Sequence, residues 1–220
     1  MADDIFLSPE EQDERAKKWL KENGLAIGIG IALGFGAIFG YNQYQDSIQK
    51  NAESASSLFS SALTLFSDSK NADIDTQLTE LKDKHPSSTY ASKVVLMKAS
   101  QLANTDLSAA YTELEWVVNN APEKGLVHTA RIRQIKINIT QGQLDKAKSL
   151  AEPASFDGFE SHYKELLGDI AALQNAPDKA SDYYQASIEA LSASEGAYSR
   201  VLGLKLDRLA VTDKVESETE

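Results

Sequence analysis

Hydrophobic and polar positions divide this chain into two regimes. From Asn23 to Gln45 no residue is charged, and positions 25–41 are almost wholly apolar or glycine. A helix crosses a bilayer with about 20 such residues. Lipid offers no hydrogen bonds, so a lone apolar stretch is stable there only as a helix that satisfies its own backbone. The pattern predicts one transmembrane helix over residues 23–45. Beyond it, apolar or small residues recur in steps of three and four at Tyr41, Tyr44, Ile48, Ala52, Ala55, Leu58, Ala62 and Leu65. The spanning helix is therefore expected to continue outward to about Phe66 and to pack against the rest of the domain, with a turn at 67–75. Residues 46–84 read as a long helix and connector.

Farther along, the period stays helical. Leu107, Ala110, Tyr111, Leu114, Val117 and Val118 share one face. So do Tyr163, Leu166, Leu167, Ile170 and Ala171, and again Ala180, Tyr183, Tyr184, Ser187, Ile188 and Leu191. Prolines at 86, 122, 153 and 177 fall between these segments. The run Ile135–Ile139 alternates and would suit a strand on its own, but Val127, Ala130 and Ile135 hold a helical step and no second strand is available to pair. A final helix from Glu195 to Ala210, with Tyr198, Val201, Leu202 and Leu209 on one side, is expected to cap the stack, followed by a disordered acidic tail over 213–220.

Superposing the helix pairs exposes a repeat. Asp106–Ala110, Gln143–Ala147 and Ala176–Ala180 align, and their closing alanines, Ala110, Ala147 and Ala180, lie 37 and 33 residues apart. That brackets the 34-residue tetratricopeptide unit, in which a small residue at this point lets two helices approach. Gly142 precedes the second helix of the middle copy, and the third copy carries Leu167-Gly168 in its first helix and Tyr184 one turn beyond Ala180. The first copy lacks the glycine, and Gln134 and Asn138 stand where the pattern prefers apolar residues. Generic helical hairpins are the alternative. The expected fold is all-α: a transmembrane helix, then a TPR-like α-solenoid over residues 85–212 of about three hairpins plus a capping helix.

The flanks of the apolar run set its direction. Arg15, Lys17, Lys18 and Lys21 crowd the N-terminal side, whereas Lys50 is the only basic residue close to the other end. Positive residues stay in the cytoplasm, so residues 1–22 form a cytoplasmic arm and the helical domain lies across the membrane, in the periplasm of a bacterium. Trp19, Tyr41 and Tyr44 sit at the two interfaces, where amphipathic rings prefer the headgroups. A cleavable signal peptide is the rival, but Asn42-Gln43-Tyr44-Gln45 offers no small-x-small site and the arm carries seven acidic residues. Within the arm, Ser8-Pro9-Glu10-Glu11 reads as a helix start. Gly24, Gly28, Gly30, Gly34, Gly36 and Gly40 include three small-xxx-small spacings that admit a second helix at close range; the alternative is a tolerant span in which they do nothing specific. As a phosphate loop, Gly28-x-Gly30-x-x-x-Gly34 lacks a preceding strand and an acidic partner.

Composition narrows the function. A net charge of −11 opposes a nucleic-acid face. Without cysteine there is no thiolate nucleophile and no cysteine zinc site. His85, His128 and His162 are scattered, form no metal-spaced pair and read as surface or helix-boundary residues. No enzyme activity, metal or cofactor is expected.

The order of features resembles the YfgM family, the ancillary subunit of the bacterial SecYEG translocon. The resembling residues are the arm Ala16-Lys17-Lys18-Trp19-Leu20-Lys21-Glu22-Asn23-Gly24, the glycine-rich span to Tyr41, the Ala/Ser-rich helix around 54–63, the Thr89-Tyr90-Ala91-Ser92 step and the Gly142–Ala147 turn. That resemblance implies an inner-membrane protein whose periplasmic domain contacts SecYEG, chaperones such as the membrane-anchored prolyl isomerase PpiD, or exported polypeptides. Three function classes follow: an adaptor at the translocon, a self-associating envelope scaffold without clients, and a scaffold for a polysaccharide machine.

Overall fold

The computed structural model describes residues 8–68, 73–152, 155–192 and 195–217, with side chains as far as Leu209. The start of the arm, Pro153 and the last three tail residues lie outside them. Among the described residues every regular element is an α-helix: α1 Pro9–Asp68, α2 Asp75–Lys84, α3 Thr89–Leu102, α4 Leu107–Asn120, α5 Lys124–Thr140, α6 Leu144–Leu150, α7 Glu160–Leu173, α8 Pro177–Glu189 and α9 Gly196–Ser217. The run Ile135–Ile139 is inside α5. The chain forms two units, one ending at Glu53 and one from Ser54 onward.

The first unit is the N-terminal part of α1. Its start is a reciprocal cap: the Glu11 amide donates to Ser8 Oγ at 3.3 Å and the Ser8 amide donates to Glu11 Oε2 at 3.0 Å. Two otherwise orphaned donors are satisfied, which is why the helix begins here. It then runs without a break through the apolar stretch. That stretch is long and apolar enough to cross a bilayer, and none of it is buried within the chain.

In the second unit α1 changes character. Ala55 and Ala62 are fully buried, Leu58, Phe59 and Leu65 partly so, and they join Ile74, Leu78 and Leu81 around α2 in one core with α3, α4 and the face of α5 that carries Ala130 and Ile137. The three- and four-residue stripe is thus packed from Ala55 on, while Ile48 in the first unit is exposed. Two further cores follow, one between α5, α6 and α7 around Ile135, Ala147, Tyr163 and Leu167, and one between α7, α8 and α9 around Ala171, Ala180, Tyr184 and Leu202.

The pairs are α3 with α4, α5 with α6 and α7 with α8, and α9 closes on α8. Ala110, Ala147 and Ala180 are all fully buried at the crossings. The turns explain the irregular repeat. Gly142 takes φ 70° and Asn175 φ 55°, left-handed positions past the ends of α5 and α7. There the Gln143 amide reaches Asn138 O at 2.8 Å and the Ala176 amide reaches Ala171 O at 3.0 Å, closing each helix with a left-handed cap. After α3 the chain turns differently, with Asp106 capping α4 through the Ala109 amide at 2.9 Å. The first copy needs no glycine because its turn has no left-handed residue.

Three sequence expectations are corrected. Val201 is 46% exposed, just outside the packed side of α9 that carries Tyr198, Leu202 and Leu209. α9 continues to Ser217, into the segment read as a disordered tail from Asp213, because no glycine or proline interrupts residues 204–217. His128 is buried inside the domain, not on its surface.

Candidate partner-binding surfaces

The predicted site residues in the first unit are open to their surroundings. Trp19, Tyr41 and Tyr44 are exposed, and a Cβ added at Gly24, Gly28, Gly30, Gly34, Gly36 or Gly40 would meet nothing within 4 Å. The basic flank of Arg15, Lys17, Lys18 and Lys21 is exposed, with Lys17 paired to Asp13 at 2.5 Å.

Two of the hollows on the helical domain lie between its helix pairs. One of about 520 Å³ lies between α3, α4 and α5, lined by Ala103, Leu107, Leu114, Arg133, Lys136 and Ile137. A second of about 510 Å³ lies between α5, α7, α8 and α9, lined by Ile139, Asp169, Leu173, Tyr184, Lys205 and Arg208. Both share α5 as a wall and put aliphatic side chains beside cations; the first, with Arg133 and Lys136 and no carboxylate in its lining, suits an extended or helical peptide with acidic groups. Arg133 is held by a 3.3 Å hydrogen bond from Nη1 to Leu96 O, so it borders its hollow as a fixed charge.

A polar network floors the second hollow. Lys205 Nζ contacts Asp169 Oδ1 at 2.5 Å and Glu165 Oε1 at 2.8 Å. Tyr184 donates its hydroxyl to Asp169 Oδ1 at 2.8 Å, and Tyr198 donates its hydroxyl to Glu165. Burial alone would push the Glu165 carboxyl up, but the Lys205 ammonium and the Tyr198 hydroxyl outweigh it and hold it below the ordinary carboxylate range. Burial would likewise lower Lys205, and Asp169 and Glu165 reverse that and raise it. Both phenols are pushed up, by burial first and then by Asp169 beside Tyr184 and Glu165 beside Tyr198. Every charge here has a partner, so the network fixes α9 on α7 and α8. Sequence reading missed it because its members lie up to 40 residues apart on three helices.

The histidines are structural in three different ways. His128 Nδ1 lies 2.8 Å from the Tyr163 hydroxyl and Nε2 lies 3.1 Å from Asp157 Oδ2, with the Phe159 ring stacked at 5.1 Å. A carboxylate only accepts, so the Nε2 hydrogen faces Asp157. The His128 ring, and after it Lys124, hold Asp157 below its ordinary value. His162 stacks on Tyr198 at 5.1 Å, and His85 meets Ser54 Oγ at 3.2 Å. No group of three or more histidine, cysteine, aspartate or glutamate side chains among the described residues could hold a metal.

A membrane-compatible helix ahead of antiparallel helix pairs, closed by alanines at the crossings, defines a helical-repeat protein with an N-terminal anchor segment. The profile of the Tetratricopeptide repeat-like domain family matches residues 17–211, and the chain belongs to that family. Its relatives carry the name to which the sequence resemblance pointed. The protein named Ancillary SecYEG translocon subunit from Escherichia coli is 22% identical over 209 residues, spanning 94% of this chain and 100% of its own length. Proteins of the same name from Haemophilus influenzae and Neisseria gonorrhoeae are each 25% identical, over 74% and 87% of this chain and 80% and 89% of their own lengths. No solved structure matches the chain significantly.

Proposed function

We propose that this chain is a membrane-anchored, protein-binding adaptor at the Sec translocon. In this reading the arm lies in the cytoplasm, α1 crosses the inner membrane once, and the helical domain works in the periplasm, where it links emerging exported polypeptides to chaperones of the PpiD kind. The observation that carries the proposal is a single one: an unburied apolar stretch in α1 feeds directly into a repeat domain with two cation-bordered hollows. The full-length likeness to proteins named as SecYEG subunits supplies the machine. The basic flank supports the orientation, and the open glycine faces between Gly24 and Gly40 support close packing with another membrane helix.

Gentle solubilisation followed by crosslinking and identification of stoichiometric partners tests this. SecYEG subunits and a periplasmic chaperone in the adducts are the expected result. Adducts containing only further copies of the chain would replace the adaptor with a self-associating scaffold. Orientation is tested separately: protease added to intact spheroplasts is expected to digest the helical domain and spare the arm.

A further inference from the structure

The helix α9 is the first half of a repeat whose second half the described chain does not supply. In α7, Tyr163, Leu167 and Gly168 are followed by a turn and by α8, and Tyr184 of α8 covers Gly168 so closely that an added Cβ would lie 2.5 Å from Tyr184 Cε1. Tyr198, Leu202 and Gly203 of α9 repeat that triad 35 residues later. The same offset carries the α7 face covered by α8 and α9, where Ser161, Glu165, Gly168, Asp169 and Ala172 lie, onto Gly196, Arg200, Gly203, Leu204 and Asp207. Ser161 bonds to Ser187 of α8, and Asp169 to Tyr184. On α9 the corresponding positions border a hollow of about 410 Å³ lined by Ser199, Arg200, Gly203, Leu204 and Asp207. A Cβ at Gly203 would meet nothing within 4 Å, and Leu204 beside it is 69% exposed. Where α7 turns back at Asn175 and Pro177, α9 runs straight on to Ser217, so the residues that would begin a covering helix lengthen α9 instead.

We propose that a second copy of this chain covers the face, with the two α9 helices packed antiparallel about a two-fold axis between Gly203 and Leu204. The pattern of the strip is self-complementary. Under such an axis position 203 of one copy faces position 204 of the other, and 200 faces 207. Leu204 of each copy then fills the gap left by the absent Cβ at Gly203 in its partner, the part that Tyr184 plays over Gly168. Arg200 meets Asp207 of the partner twice. Neither residue forms an ion pair among the described residues, and both are exposed. The domain from Ser54 onward has 17 basic against 24 acidic residues, so two like surfaces repel by default. An opposed-charge rim is what lets this strip approach its own copy.

The chain has no cysteine, so introduced thiols report the contact without background. Full-length Arg200→Cys and Asp207→Cys versions with different tags are mixed in mild detergent and oxidised. The mixed disulfide is expected about tenfold above that from Arg200→Cys mixed with Glu189→Cys, because the bond closes only when Cα atoms approach within about 7 Å. Gly203→Leu, placed in both, is expected to return the yield to the control level while helicity and melting temperature hold, since the added side chain enters open space in the single chain. Without thiols, Leu204→Gln is expected to weaken pairing about a hundredfold, because two apolar side chains lose their burial. Arg200→Asp is expected to weaken it too, and adding Asp207→Arg to restore it. A mixed disulfide no more abundant than the control overturns the proposal, as pairing through the membrane helices alone would give. So does a yield untouched by Gly203→Leu, or oxidation in native membranes that joins position 200 to a different polypeptide.

Discussion

Tyr184 covers Gly168, the Cδ1–Cε1 edge of its ring so close that the glycine's missing Cβ is what makes room for it. The contact joins the two helices of the third repeat at the centre of its core, and the tyrosine hydroxyl continues to Asp169 at 2.8 Å. Replacing Gly168 by alanine forces the ring or the helix to move. Overpacking of this kind costs about 1–3 kcal/mol, against which alanine regains about 1 kcal/mol of helix propensity. A net loss of up to about 2 kcal/mol is expected, read as a fall in Tm of roughly 2–4 °C per kcal/mol by circular dichroism. Gly125→Ala is the control: that exposed glycine in α5 has open space around its Cβ position, and the variant is expected to hold or gain stability. Equal losses in both would show that Gly168 has no special packing role.

The network of Glu165, Asp169, Lys205, Tyr184 and Tyr198 makes the domain sensitive to pH from both sides. Glu165 has a folded value below its unfolded one, so its contribution is present above the unfolded value of about 4.3 and is lost as pH falls through the folded value. Lys205 and the two tyrosines have folded values above their unfolded ones. Their contribution is complete below about 10 and declines as pH rises from there. Urea unfolding at pH 7 and pH 3.5 is expected to show a smaller acid loss for Glu165→Gln than for the parent chain. The glutamine variant should already be weaker at pH 7, because Lys205 loses a half-buried partner.

His128 ties α5 to the segment ahead of α7, with hydrogen bonds at both ring nitrogens and a stacked Phe159. Removing the ring leaves the fully buried Tyr163 hydroxyl without that partner. His128→Leu is expected to cost about 1–3 kcal/mol, because two hydrogen bonds are lost, one of them to the Asp157 carboxylate. Hydrogen exchange is expected to quicken first at 155–160, where Asp157 and Gly158 take φ 44° and 90° and rely on the histidine to hold the turn. Uniform acceleration across α3 and α4 as well would contradict this local role.

Much of the fold was legible because it depends on short-range periodicity. The uncharged run ahead of Asp46, the alanines at 110, 147 and 180 and the Leu167-Gly168 step each act within one or two helical turns, so spacing alone places them. What the pattern could not carry was the pairing of side chains across helices. His128 sits near the start of α5, where position suggests exposure, and only the approach of Tyr163 and Asp157, 35 and 29 residues away, makes it a buried residue. Val201 has the same limitation: it lies close enough to the apolar face of α9 to be grouped with Leu202, and one helical step of rotation places it outside. The open face of α9 could have been found, since the recurrence of Tyr-x-x-x-Leu-Gly at 163 and 198 is visible in the sequence. Its meaning depends on whether a second helix covers it.

The two hollows give the adaptor reading a direct test that leaves the fold alone. Arg133 and Lys136 are exposed on α5, and Lys136 forms no ion pair among the described residues. Surface charges of this kind contribute about 1 kcal/mol or less to stability, so Lys136→Glu is expected to leave the melting curve within a few degrees of the parent. A partner that approaches with acidic or carbonyl groups loses an attraction and meets a repulsion, which shows mainly in the rate of association and its salt dependence. Co-purification from membranes with Lys136→Glu is therefore expected to recover less of the soluble or emerging partner, while recovery of partners held by the membrane helix is unchanged. Reversing a charge on α1 at Lys50 supplies the comparison. Equal recovery with both variants would move the binding surface away from α5.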